Sequence, residues 1–226
     1  RLIKYTLELI DAQSPDYVCV LGDLLHSHEK LYTEPLNKIL KFIKQMAKCC
    51  PVYVLVGNHD MVDNSQFLTD NHWMTCMYKF NNVIVVDTPV ELETDGGTFV
   101  FCPYVPNGRF EEALDRIEDW NQADCVFAHQ EIKGCKMGSI ISESGDVWEP
   151  HYPYIVSGHI HERQQPHPNV FYQGSALQHA FSSNDPKSLF IFEFHAEEGI
   201  EFPNHPGYFS RIEFPLCVTH KKTHNF

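Results

Sequence analysis

No apolar run in this 226-residue sequence is long enough to cross a membrane. The longest runs, such as residues 17–21 and 52–56, are far shorter than the roughly 20 residues that a membrane helix needs. The first five residues contain neither an uninterrupted apolar stretch nor a small-residue cleavage site, which argues against a signal peptide. We therefore expect no membrane association and a cytoplasmic or otherwise intracellular protein.

The sequence also lacks paired-cysteine motifs, repeats and linkers. Its eight cysteines show no CxxC spacing and lie mostly in apolar segments or as the adjacent Cys49 and Cys50. An even number of cysteines permits disulfides, but a chain of this length can bury a core without them, so reduced thiols are favoured. No Pro/Gly/Ser-rich or low-complexity stretch divides residues 1–226, which favours a single domain.

Basic residues are scarce, with 17 Lys and Arg against 30 Asp and Glu and a net charge of −13. This balance argues against a broad basic face that binds nucleic acid by neutralising phosphates. It does not exclude such a substrate, because clusters that hold divalent cations count as negative while the bound ions reverse the local field. The 14 histidines are more informative, since neutral imidazole is the commonest metal ligand.

The hydrophobic pattern predicts an α/β protein. Helical spacing of apolar residues occurs in residues 2–10, 35–46 and 110–120. Strands are predicted at 17–21, 52–56, 83–86, 90–93, 98–101, 125–128, 154–156, 170–173, 189–194 and 211–218, with a turn or loop at 195–206. This order favours a pair of mixed sheets flanked by helices over a single doubly wound sheet.

Two groups of aromatic residues alternate at the period of a strand. Phe99 and Phe101 form one group, and Phe190, Phe192 and Phe194 form the other. Side chains on one face of a strand recur every second residue. We therefore expect these rings in the core rather than as platforms on which nucleic-acid bases stack.

Four of the predicted strands end in polar groups that can bind metal. The groups are Gly22-Asp23, Gly57-Asn58-His59-Asp60, Ala128-His129 and Gly158-His159-Ile160-His161. Ligands bind beyond the carboxyl ends of strands in open α/β sheets, so four such ends can converge on one site. A single end of this kind would more often be a turn, but four together indicate a site. Donors of Asp, Asn and His without Cys suit Mn, Fe or Zn better than a thiolate-bound structural zinc.

In order and spacing, these four motifs resemble the signature of the calcineurin-like metallophosphoesterases. The resemblance covers nearly the whole chain. It implies an α/β fold of the αββα sandwich type, in which two mixed β-sheets are flanked by helices. It also implies two divalent ions about 3.5 to 4 Å apart, with Mn favoured over Fe or Zn.

The resemblance implies a role for each residue of the site. Five residues would bind the ions: Asp23 as a bridge between them, Asn58, His129 and His159 on one ion, and His161 on the other. His59 would not be a ligand, and would instead act as the general acid at the leaving oxygen or contact the phosphate in the transition state. Asp60 or His26 would be its orienting neighbour.

One part of the family's pattern is missing. The family opens with a strand that ends in Asp-x-His and completes the first metal site, and no such motif precedes Asp23. Residues 2–10 resemble the helix that follows that strand. We therefore expect a fragment that lacks its first strand and has an incomplete first metal site. The alternative is a natural form reduced to one metal or to none.

Less specific motifs bear on the substrate. Gly22-Asp23-Leu24-Leu25-His26 is similar to the form in DNA repair exonucleases of the SbcD type and their phage counterparts, and the GDxVDRG motif of protein serine/threonine phosphatases is missing. Residues 170–179 resemble the strand and Gly-Ser turn of those nucleases, which also draws attention to His179. Residues 211–216 resemble the lead into their capping domain. The domain would then comprise a core of about residues 1–195 and an extension, or the start of a capping region, over about 196–226.

These resemblances predict a DNA exonuclease or endonuclease subunit. Its partners would be nucleic acid and an ATPase of the SbcC type, and a homodimer is also compatible. Two alternatives stay open, namely a phosphodiesterase or phosphatase for small molecules and a catalytically inactive binding module. An open groove would favour the nuclease, a closed pocket the small-molecule enzyme, and a failure to take up metal the inactive module.

Overall fold

The structure is a computed structural model that describes residues 1–26, 28, 30–177, 187–194 and 209–216. Its α-helices are α1 (Leu2–Gln13), α2 (Thr33–Met46) and α3 (Phe110–Leu114). Its strands are β1 (Val18–Val20), β2 (Val52–Leu55), β3 (Val83–Val86), β4 (Val90–Thr94), β5 (Gly97–Cys102), β6 (Cys125–Ala128), β7 (Lys136–Met137), β8 (Ile140–Ile141), β9 (Tyr154–Ser157), β10 (Gln164–His167), β11 (Val170–Tyr172), β12 (Ser188–Phe194) and β13 (Phe209–Pro215). Short 3₁₀ helices cover Trp73–Met77 and Trp120–Gln122.

Most of the strands belong to two sheets. The smaller sheet is parallel, with the order β1-β2-β3. The larger has the order β10-β11-β9-β6-β5-β4, parallel in its centre and antiparallel at both edges. The pairs β12-β13 and β7-β8 are separate antiparallel hairpins. The larger sheet is mixed as predicted, whereas the smaller sheet is parallel throughout its described strands.

The alternation of side chains along the strands divides the core into layers. Val52 and Val54 of β2 pack on one side with residues of α1 and α2, because successive side chains of a strand point to opposite faces. Tyr53 points to the other side, where its ring stacks on Phe101 of β5 at a centroid distance of 4.2 Å. Val100, next to Phe101, packs instead with residues of α3. The layers run helix, sheet, sheet, helix, so the predicted αββα sandwich is confirmed.

The predicted aromatic core is also confirmed. Phe99 and Phe101 are buried between the two sheets, and the rings of β12 pack against the same cluster. Phe194 meets Phe99 edge-on at a centroid distance of 4.6 Å, and Phe192 meets Phe127 at 6.2 Å. The hairpin β12-β13 therefore covers the inner face of the larger sheet.

One predicted helix needs correction, and three short strands were not predicted. The helix predicted at 110–120 ends at Leu114, and Asp119 adopts a left-handed φ of 55° that no continuing helix allows. The strand β10 contains Pro166 and is mostly polar, and β7 and β8 have two residues each, so none of the three gave a hydrophobic signal. The loop predicted at 195–206 lies outside the described residues.

Seven of the eight cysteines lie in described residues, and all seven are free. The prediction of reduced thiols is confirmed for them. Cys50, Cys102, Cys125 and Cys135 are buried, whereas Cys49 and Cys76 are exposed. No helix in the described part of the chain combines the length and the apolar character needed to span a membrane.

Candidate metal centre

The carboxyl ends of four strands, two from each sheet, meet at one edge of the sandwich. Asp23 and Asn58 follow β1 and β2, and His129 and His159 follow β6 and β9. Ligand atoms of Asp23, His129 and His159 all lie within 4.8 Å of one another. The Asn58 Oδ1 atom lies 3.1 Å from His129 Nε2 and 3.0 Å from His159 Nδ1. The structure thus brings together four of the five residues that were predicted as ligands.

The backbone of the opposite sheet orients the His129 ring. The Nδ1 atom of His129 donates a hydrogen bond to the carbonyl oxygen of Leu21, at the end of β1. This tautomer turns Nε2 toward Asn58 and toward Asp23 Oδ2, which lies 3.3 Å away. Metal-binding histidines commonly donate their other ring N–H to a backbone carbonyl in this way. The His129 ring therefore has the orientation of a ligand that binds through Nε2.

The ionisation of these side chains suits a divalent cation. Burial opposes ionisation of Asp23, but the charge of His129 and its hydrogen bond outweigh this and hold the pKa of the carboxyl below its ordinary value. Burial and the charge of His129 lower the pKa of His159 to about 4, so this ring is neutral near pH 7. Burial opposes the charge of His129, but Asp23 outweighs this and raises the pKa of that ring, so a bound cation would displace its proton. Ionised carboxylates and neutral imidazoles are the forms that bind metal. The residues present therefore fit one ion of the family's centre.

Two glycines allow the strand ends to approach this closely. Gly22 has a φ of +92°, and a Cβ there would lie 2.5 Å from His129 Nδ1. A Cβ on Gly57 would lie 2.3 Å from Asp23 Oδ1. Asp23 and His159 also adopt left-handed φ angles of 53° and 68°. Such backbone costs on the order of 1–3 kcal/mol per non-glycine residue and is found mostly at functional sites.

Asp60 ties the two loops of the smaller sheet together. Its carboxylate is buried, and Oδ2 accepts hydrogen bonds from Asp23 N at 2.7 Å and Gly57 N at 3.0 Å. Its Oδ1 accepts a bond of 2.9 Å from Trp73 Nε1. Burial and the charge of Asp23 raise the pKa of Asp60 to about 6. These hydrogen bonds lead to backbone groups and Trp73 rather than to the His59 ring, so Asp60 positions the loop that carries Asp23.

His59 stands at the rim of the centre with two other histidines. Its Nδ1 donates to the His26 carbonyl oxygen at 3.1 Å, which leaves Nε2 for a substrate, and Nε2 carries a proton when the ring is protonated. The His26 ring stacks on it at a centroid distance of 5.2 Å, and the His28 ring lies 4.7 Å away. The backbone N–H of His59 donates to Asp23 Oδ1 at 2.9 Å. Of the two predicted orienting neighbours, His26 is thus the one that contacts the His59 ring.

His161 is not part of the donor cluster. Its side chain is exposed, and its backbone oxygen accepts hydrogen bonds from Lys187 Nζ at 3.1 Å and Ser175 N at 3.0 Å. Within the described ranges, no second group of three acidic, His or Cys donors comes within ligand distance. The role of His161 and the first metal site stay predictions. His179 lies outside the described residues.

Tyr104 and Trp73 were missed by the sequence reasoning. The Tyr104 ring lies 5.9 Å from the His159 ring and 6.3 Å from the His129 ring. It follows the end of β5, so the same rule about strand ends would have found it. No sequence signal marks Trp73, because its partner Asp60 depends on the path of the intervening loop.

Replacing His129 with alanine is expected to weaken Mn²⁺ binding at least about tenfold. Even the replacement of a residue that only hydrogen-bonds to a metal ligand has an effect of that size. Calorimetric titration with Mn²⁺ near neutral pH measures the change. His151→Ala is the matched control, because this exposed ring packs edge-on against Tyr152 and contributes no atom to the cluster. Unchanged Mn²⁺ affinity in His129→Ala would remove His129 from the ligand set.

Known proteins resemble this chain over most of its length. Residues 1–163 match the family described as calcineurin-like phosphoesterase. The protein named "Putative phosphoesterase 244L" of Invertebrate iridescent virus 6 is 46% identical over 189 residues, which cover 82% of this chain and 67% of that protein. "Putative phosphoesterase 078R" of Invertebrate iridescent virus 3 is 45% identical over 187 residues, which cover 81% of this chain and 54% of that protein.

A more distant relative is Exonuclease subunit 1 of Enterobacteria phage T4. It is 27% identical over 190 residues, which cover 80% of this chain and 55% of that protein. The chain thus spans 54% to 67% of the length of these three curated relatives. The solved structure of an archaeal phosphodiesterase has a TM-score of 0.44 and 10% identity, and covers 94% of this chain and 92% of its own. A likeness this loose carries no argument about function.

Proposed function

This chain belongs to the calcineurin-like phosphoesterase family, and from that premise we propose that it hydrolyses phosphodiester bonds of nucleic acid with divalent metal ions. The convergence of Asp23, His129 and His159 within 4.8 Å carries the proposal, because these three donors could hold a divalent cation together. The reaction class follows from the family. The substrate class needs further support.

A nucleic-acid substrate is supported by the phage relative. That protein is named an exonuclease subunit, and its 27% identity extends over 190 residues. The segment from Gly22 to His26, with the resemblance described above, brings His26 against His59 in this structure. We extend the nuclease activity to this chain, with DNA as substrate and Mn²⁺ as the favoured metal. A partner ATPase belongs to the same proposal.

In this proposal, each side chain has a distinct task. Asp23, Asn58, His129 and His159 would hold one ion, and His161 together with Asp23 would hold the other. A bound divalent ion would polarise the phosphoryl oxygens and neutralise the charge that develops during hydrolysis. Protonated His59 would present its Nε2–H to the leaving oxygen, as its Nδ1–H is engaged by the His26 carbonyl. Asp60 would keep the Asp23 loop in place.

Hydrolysis of single-stranded DNA and of bis-p-nitrophenyl phosphate tests the proposal. Both reactions are expected to proceed in Mn²⁺ and to stop in EDTA. Their rates are expected to fall at least about a hundredfold in Asp23→Asn, which keeps the size of the side chain but removes its charge. Asp16→Asn is the matched control, since Asp16 is exposed and lies outside the cluster. The protein is best assayed in its natural full-length form.

The other outcomes separate the alternatives. Cleavage of the small ester without cleavage of DNA would replace the nuclease with a small-molecule phosphodiesterase. A protein that cleaves neither substrate and takes up no Mn²⁺ would be a binding module. Cleavage of both substrates in EDTA would contradict the metal-dependent reaction itself.

A further inference from the structure

A cleft lies beside the metal centre, at the same edge of the smaller sheet. Asp87 and Thr88, which follow β3, form one of its walls. The strand β3 pairs in parallel with β2, whose carboxyl end leads into Asn58 and His59. Adjacent strands are about 4.8 Å apart, so β3 lies roughly 10 Å from β1, the strand that leads into Asp23. One ligand could therefore reach both the cleft and the metal centre.

The opposite wall is formed by residues 66–70, in the segment that follows the Gly57 to Asp60 motif. The cleft has a volume of about 460 Å³, which is in the range of small-molecule sites. An antiparallel bridge between Met61 and His72 closes the base of this segment. The bond from Trp73 to Asp60 then joins the segment to the metal centre.

Hydrogen-bond acceptors dominate the polar part of the lining. Asp70 and Asp87 contribute carboxylates, and the lining contains no Lys or Arg. Asp87 Oδ2 is held in place by the Tyr78 hydroxyl and by His72 Nε2, the latter at 3.4 Å. Carboxylates accept hydrogen bonds and repel phosphate, so the cleft favours a group that carries N–H donors.

Gln66 adds an acceptor that lacks a partner. Its Oε1 atom is buried and, among the residues that the structure describes, receives no hydrogen bond. Buried polar atoms are normally paired, and an unpaired one calls for an explanation such as a missing ligand or water. Because Gln66 lines the cleft, a donor group bound there would supply the partner.

Phe67 gives the cleft an aromatic wall with positive charge behind it. The Arg109 guanidinium lies 3.6 Å from the centroid of the Phe67 ring, and that of Arg116 lies 5.6 Å away. Neither arginine lines the cleft. Arg109 is paired with the Glu112 carboxylate, so the features that match a base are the acceptors and the aromatic ring inside the cleft rather than the arginines outside it.

We propose that this cleft, lined by residues 66–70, Asp87 and Thr88, binds a nucleobase that carries an exocyclic amino group. Cytosine, adenine and guanine have such a group and thymine does not, and Asp accepts a hydrogen bond from the amino group of cytosine in known base contacts. The base would belong to a nucleotide next to the phosphodiester at the metal centre. This inference rests on the proposed function and adds a preference among bases to it.

Titration of the ¹⁵N-labelled chain with deoxycytidine and with thymidine tests the subsite. Neither nucleoside has a phosphate, so neither reports on the hydrolytic centre. Deoxycytidine is expected to shift the amide signals of Thr69 and Thr88 and to bind at least about fivefold more tightly than thymidine. Asp70→Asn, which removes one carboxylate at constant size, is expected to reduce this preference. Asp95→Asn in the exposed β4-β5 turn is the matched control and is expected to retain it.

The outcomes separate the subsite from the proposed function. Equal affinity for the two nucleosides, no response at the cleft, or an unchanged preference in Asp70→Asn would overturn the subsite, even in a protein that cuts DNA. Selective binding of deoxycytidine by a protein that hydrolyses no phosphodiester would support the subsite and overturn the nuclease.

Discussion

Replacing His59 with alanine is expected to slow phosphodiester hydrolysis by about two to four orders of magnitude, the usual contribution of a general acid or base. The affinity for Mn²⁺ is expected to stay unchanged, because His59 contributes no atom to the donor cluster. The ring is held by the His26 carbonyl at Nδ1 and leaves Nε2 toward the substrate side. Its loss therefore removes a proton donor or phosphate contact but leaves the metal centre intact.

The choice of substrate separates the two roles of His59. A p-nitrophenolate leaving group needs little protonation, whereas the sugar alkoxide that leaves from DNA needs a proton. A general acid therefore predicts a larger loss on DNA than on bis-p-nitrophenyl phosphate, and a phosphate contact predicts similar losses on both. His151→Ala again serves as the control. Full activity of His59→Ala on both substrates would contradict a catalytic role.

Replacing Asp60 with alanine is expected to lower the free energy of unfolding by about 2–4 kcal/mol, because unpaired buried donors are costly. The change leaves Asp23 N, Gly57 N and Trp73 Nε1 without their acceptor. Asp60→Asn is expected to fall between the wild type and Asp60→Ala, since one carboxamide oxygen can serve only part of these donors. Mn²⁺ affinity is expected to fall in parallel, because Asp60 holds the Asp23 loop.

Urea denaturation in EDTA, followed by Mn²⁺ titration, measures both effects. Asp63→Ala is the matched control in the same loop. Its exposed carboxylate accepts bonds only from Ser65 among the described residues, at 2.9 Å each, so a change within about 0.5 kcal/mol is expected. Equal stability of Asp60→Ala and Asp63→Ala would show that Asp60 does not anchor the two loops.

The donors of the candidate site could be predicted from local sequence. Asp23, Asn58, His129 and His159 each follow a short apolar run, and the carboxyl ends of parallel strands share an edge. The clustering of these four side chains agrees with that reasoning, although their roles as ligands await the experiments above. The same reasoning did not predict the position of His161, whose side chain is exposed and lies outside the cluster.

The supports of the site could not be predicted in the same way. The bond from His129 to the Leu21 carbonyl joins residues 108 positions apart. The bond from Trp73 to Asp60 depends on a loop without periodic pattern. The end of α3 at Leu114 likewise has no local signal, because the spacing of apolar residues favours continuation there.

By itself, the sequence determined the type of chemistry and the layers of the fold. Residue identity sets which atoms can bind a cation, and a period of two or 3.6 residues sets which side of an element is buried. Only the tertiary structure decided how His59 is oriented, what Asp60 anchors and where the cleft beside Asp87 lies. These features depend on distances between residues far apart in the chain, and no local pattern encodes such distances.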